Sequence, residues 1–107
     1  MSTPLHDDLV GLPAEALIRE GLSDLAANRE TIGSLLVQIG APRLRLAKIS
    51  VPDRKDDVDA DRRLYKLLCA EHGYEAHSQF NSLIRELVSF ERALERRVSA
   101  RRLAARS

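Results

Sequence analysis

Apolar residues recur along most of this chain at the three- and four-residue spacing of helices that bury one face. Leu17, Ile18, Leu22 and Leu25 share one side of a helix predicted over Pro13 to Ala27, with Gly21 near the middle of the stripe. Pro13 suits a first turn, where a missing N–H is harmless, and Glu15 adds a negative charge that favours the positive end of the helix dipole. Gly21 is either the seat of a close helix contact or a glycine tolerated at about 1 kcal/mol relative to alanine. The dozen residues before this helix read as loose chain or a single turn.

Thr31 can cap a second helix carrying Ile32, Leu35, Leu36 and Ile39 on one face, and Gly40 followed by Pro42 signals its stop. Two short helices joined over Asn28 to Glu30 should pack as an antiparallel hairpin. Leu44, Leu46 and Ile49 fit a short helix or an extended segment, and the short helix is the expectation. Pro52 through Asp57 is the most turn-prone stretch and should be an exposed loop. Asp57 and Asp59 then offer caps for a third helix bearing Leu64, Leu67 and Leu68, with Asp61 in its first turn, His72 in its last and Gly73 closing it.

The last helix begins near Glu75 and is the longest, since neither glycine nor proline follows Gly73. Phe80, Leu83, Ile84, Leu87, Phe90, Leu94 and Val98 form its core stripe, within an arc of about 120°. Beyond Val98 the stripe fails, because Arg101 and Arg102 take its place, so the helix should leave the body there and fray. The predicted fold is all-α: a single domain over residues 1–107, a small bundle of four main helices with a short fifth near 42–49, the last helix as its backbone, and residues 1–12 and 100–107 loosely ordered.

Composition narrows the classes. At 107 residues with 44% hydrophobic and 31% charged residues, the chain is apolar enough to fold around one core and too charged to live in a bilayer. No apolar run approaches the roughly twenty residues of a membrane span, and the start of the chain carries acids where a signal peptide would be basic, so a cytoplasmic location is expected. Cys69, the one cysteine, excludes an intrachain disulfide and reads as a buried, inert thiol behind Leu67 and Leu68. No cofactor is implied: a phosphate-binding glycine loop, a nucleophile elbow and a Cys-x-x-Cys pair are all lacking. Neither His72 nor His77 has an arginine four to six residues plus one before it, which removes the Arg-x(4–6)-His pattern of small helical ribonuclease domains.

The net charge of +1 hides an asymmetry: residues 1–41 hold two arginines against six acids, and from Arg92 onward six arginines face only Glu95. Arg96, Arg97, Arg101 and Arg102 are therefore candidate polyanion-binding residues, set against the plainer reading of a solvated helix end. A DNA-reading motif in the first two helices is disfavoured, because residues 31–39 contain no lysine or arginine and offer only Thr31, Ser34 and Gln38. Glu71, His72, Glu75 and His77 cluster at the junction of the third and fourth helices, but their spacing matches no metal or acid–base motif. Glu91 interrupts the apolar stripe between Leu87 and Leu94, where an unpaired carboxylate is expensive, so it should meet an arginine or lie in an interface.

A long amphipathic helix beside short ones leaves apolar surface to cover, which predicts a homodimer with Phe80, Leu83, Leu87, Phe90, Glu91, Leu94 and Val98 at its interface. The leading functional expectation is a non-catalytic protein-interaction, accessory or regulatory module. Behind it stand a nucleic-acid-associated, antitoxin-like regulator acting through the arginine-rich end, and a metal-binding or enzymatic domain at the third junction.

Overall fold

A computed structural model describes residues 9–53 and 59–106, and every regular element among them is helical. Helix α1 spans Glu15–Ala26, α2 Ile32–Leu46, α3 Ala60–His72 and α4 Ala76–Arg106, with a single 3-10 turn at Gly73–Glu75 between the last two. None is long and apolar enough to cross a membrane.

Before α1, Leu12 N–H donates to the Leu9 carbonyl at 3.2 Å, and this one turn drives both leucines into the core. Pro13 lies just outside the helix rather than in its first turn, because Ala14 adopts a left-handed φ of 60° that breaks the helical path. Glu15 opens α1 instead. Its carboxylate accepts from the Gly11 N–H at 2.9 Å and from Arg19 Nε at 2.7 Å, fastening the turn to the helix.

The step from α1 to α2 is closed by hydrogen bonds. Thr31 and Ser34 form a reciprocal capping box, with Ser34 N–H donating to Thr31 Oγ1 at 3.1 Å and Thr31 N–H to Ser34 Oγ at 2.8 Å. Asp24, buried at the end of α1, accepts from Thr31 Oγ1 at 2.8 Å and from Arg29 Nη2 at 2.9 Å. Gly21 lies against Gly33: a Cβ built on Gly21 would stand 2.6 Å from the Gly33 carbonyl carbon and 2.7 Å from Val37 Cγ2. Of its two readings, close helix contact is therefore the one the packing requires.

The expected stop at Gly40 and Pro42 is overturned, since α2 runs through both to Leu46. Pro42 costs α2 the N–H that would bond the Gln38 carbonyl and crowds that carbonyl with its ring, but the helix is held by packing on both sides, and Gly40 is there for contact, not termination. A Cβ at Gly40 would press on Leu87 Cδ1 at 2.8 Å and Glu91 Oε2 at 3.0 Å, so the bare backbone lets α4 approach. The separate fifth helix is thereby absorbed: residues 42–46 are the last turn of α2, and Lys48, at a left-handed φ of 70°, turns the chain so that Ile49 N–H reaches the Leu44 carbonyl.

Asp59 precedes α3 but makes no side-chain cap, and Asp57 lies outside the described residues. Leu64 and Leu68 enter the core, whereas Cys69 is exposed, a correction to the expected buried thiol. Its position one residue past Leu68 carries it about 100° round the helix, onto the wet face. An Arg63–Glu30 ion pair ties α3 to the α1–α2 connection.

The central element is α2, not α4: it packs against all three other helices and buries residues on nearly its whole circumference. Helix α4 runs along the long axis of a 52 × 26 × 22 Å molecule. Its last turns remain helical through Arg106 with residues 99–105 exposed, so the end projects as helix where fraying was expected.

Candidate functional site

The apolar stripe of α4 divides in two. Phe90, Leu94 and Leu87 are buried within the single chain and belong to its core, so they are not free to form the dimer face expected of them. Phe80, Leu83, Ile84 and Val98 are only half-buried at its margin. Phe80 is held edge-on by Tyr65 with ring centroids 5.6 Å apart.

On the α2 side of that margin lies a groove. Its first stretch, about 320 Å³, is lined by Ile39, Pro42 and Arg43 of α2 and by Ile84, Val88 and Glu91 of α4. A second stretch of about 250 Å³ continues along the same two helices between Arg43 and Leu46 on one wall and Val98 and Arg102 on the other. Arg43 and Glu95, an ion pair at 3.4 Å with both side chains more than half exposed, bridge the stretches. Leu46 is 76% exposed at the rim.

Glu91 forms part of the wall. It is 7% exposed, yet it accepts no hydrogen bond and makes no ion pair among the described residues, so the expected salt bridge is not formed among them. Burial raises its carboxyl above the ordinary 4.5; the positive field of Arg43 pulls it partly back and Glu95 opposes that.

The arginine-rich end is split by helical geometry. Arg97 is turned toward the body, where its guanidinium donates to the Val10 carbonyl. Arg101 lies on the same side of the helix and also has an interaction partner. Arg96 and Arg102 are exposed, Arg96 with Leu103 and Arg92 on the outer side of α4 and Arg102 at the groove. The four side chains do not form one cationic surface.

At the α3–α4 junction, Glu71, His72, Glu75 and His77 are all exposed, and among the described residues no three acidic, histidine or cysteine side chains stand close enough to hold a metal ion. His77 meets Asn81 at 3.2 Å and the edge of Tyr65. Ser34 and Gln38 are buried in α2, which keeps them from the base edges a recognition helix would read.

Of the α2 wall of the groove, Ile39 was placed on the face of the second helix, but Pro42, Arg43 and Leu46 were not joined to it because that helix was expected to stop at Gly40 and Pro42. Val88 fell outside the stripe. The signal that finds it is a second row on α4, Ile84, Val88, Glu91, Glu95, Val98 and Arg102, spaced alternately by four and three residues. No family model, curated protein or solved structure matches the chain.

Proposed function

We propose that this chain is a non-catalytic helical docking module whose α2–α4 groove takes a second copy of the same chain. The observation that carries the reading is the groove itself. Half-exposed Ile39, Ile84, Val88 and Val98 and the exposed Leu46 line two helices side by side, the kind of concave apolar face that a helix of a partner covers.

A second copy is the favoured partner because the same face holds both signs of charge, Arg43 and Arg102 beside Glu91 and Glu95. A two-fold interface sets a patch against itself, so a patch containing acids and arginines together meets its own complement. The scattered arginines and the exposed, unconverged histidines give no comparable support to a nucleic-acid or catalytic role.

Light scattering of the full chain from micromolar to millimolar concentration tests the proposal. The expected result is a dimer that Val88→Asp converts to a monomer with its helical circular dichroism intact. A parent chain that stays monomeric throughout the range overturns it.

A further inference from the structure

We propose that the occupant of the groove is α4 of the second copy, lying antiparallel, with its Arg102 on Glu91 and, by the two-fold, Glu91 of the second copy on Arg102. This rests on the self-association reading and adds to it the element, the direction and the register.

The row on α4 sets the geometry. Val88, Glu91, Glu95, Val98, Arg102 and Ala105 alternate three- and four-residue steps, the spacing at which one helix keeps a straight seam against another. Placed antiparallel on itself, such a row falls into layers only in registers one heptad apart. One register sets Glu91 opposite Glu95, two acids that would share Arg43, which Glu95 of the same chain already holds. The next sets Glu91 opposite Arg102, Glu95 opposite Val98 and Val88 opposite Ala105. Charge therefore selects the second.

The groups that pair in this register are the ones left over in the single chain. Glu91 is nine-tenths buried and has no partner among the described residues, and it faces the groove. Arg102 lines the second stretch of the groove and makes no ion pair among the described residues. The two lie eleven residues apart on one helix, or about 16 Å, so each copy presents an acid and a base at the separation its mate needs. The residues brought in behind Arg102, Leu103 at 67% exposure and Ala105, come from the projecting, exposed end of α4. Leu46 gains an apolar neighbour in the same movement.

Cross-linking tests the register directly. In a Cys69→Ser background, Val88→Cys with Ala105→Cys should be joined between chains by a short bis-maleimide, while Val88→Cys alone should not, because the two copies of residue 88 would lie about 26 Å apart. Arg102→Glu and Glu91→Gln should each weaken the dimer at least tenfold, and the double variant should be little worse than either, since both break the same two symmetry-related contacts. A dimer that links through Val88→Cys alone, or that keeps its affinity with Arg102→Glu, overturns the antiparallel register and leaves self-association standing. A monomeric parent removes the self-association reading and this one with it.

Discussion

Asp24 and Glu91 are buried to almost the same degree, 8% and 7% exposed, yet the fold treats them in opposite ways. Asp24 ends α1 where the chain turns back, and the Thr31 hydroxyl and the Arg29 guanidinium both donate to it, which holds its carboxyl below the ordinary 3.8. Glu91 sits mid-helix in an apolar stripe and accepts no hydrogen bond among the described residues, and burial pushes it up. The first is what a finished contact looks like. The second belongs to a contact still lacking one side, and the same difference separates the α1–α2 half of the molecule from the α2–α4 half.

The largest expected effect comes from the two glycines that seat these interfaces. Gly21→Ala drives a methyl into the Gly33 backbone, which has nowhere to go, so the variant should lose about 3 kcal/mol of unfolding free energy in urea. Gly40→Ala meets only the ends of Leu87 and Glu91, which can turn into the groove, and alanine returns about 1 kcal/mol of helix propensity. It should stay within about 1 kcal/mol of the parent. Equal losses at the two positions would erase the distinction between a sealed and an open interface.

Those glycines also mark where sequence reading stops. The core stripe of α4 and the Thr31 cap were legible because periodicity and capping are local properties of the chain. Gly40 and Pro42 were not, since the same two residues that end an isolated helix are tolerated when tertiary packing on both sides holds it, and only the position of α4 shows that Gly40 is a contact. Ala14, Lys48 and Asp59 adopt left-handed turns without the glycine that would announce them. Leu9 and Leu12 belong to no periodic run, so their burial was invisible. For the site, Glu91 and Val98 could be singled out from α4 alone, but a groove needs a second wall, and apart from Ile39 that wall lay beyond the misplaced end of α2.

A smaller effect is expected at Gln38. Its side-chain amide is buried at 6% exposure, and neither Oε1 nor Nε2 has a hydrogen-bond partner among the described residues. It lies on the central helix, so the completed half of the core also contains one uncompensated polar group. Gln38→Met keeps the length and removes the desolvated amide, and should raise stability by about 1 kcal/mol. A loss of stability would mean that the amide is satisfied in solution.

The two acids separate again with pH. Glu91 has a raised folded value, so the native state holds the extra proton and stability falls as pH rises from 4.5 through that value. Asp24 has a depressed one, so its contribution is full above 3.8 and is lost as pH falls through the lower folded value. Measured from pH 2 to 7 at a concentration where the chain is monomeric, so that Arg102 of a second copy does not reach Glu91, stability should therefore lose its decline above pH 4.5 in Glu91→Gln and have a flatter acid limb in Asp24→Asn. Exchanged behaviour of the two variants would reverse the assignment of finished and unfinished contacts.

The smallest expected effect divides the arginines. Arg97 holds the Leu9–Leu12 turn from across the molecule by its bond to the Val10 carbonyl, and its field adds to the bonds from Gly11 and Arg19 that depress the Glu15 carboxyl. Arg96, one residue earlier, is exposed on the far side of the helix. Arg97→Gln should cost about 0.5–1 kcal/mol globally, as befits a charge-assisted bond at the surface. Its sharper signature is local: faster amide exchange at Leu12 and a Glu15 carboxyl that titrates closer to its ordinary value of 4.5, with Arg96→Gln changing neither. If both variants behave alike, the arginine-rich end acts as one solvated cationic surface, and the division of α4 into a side that closes the fold and a side left for a partner does not extend past Val98.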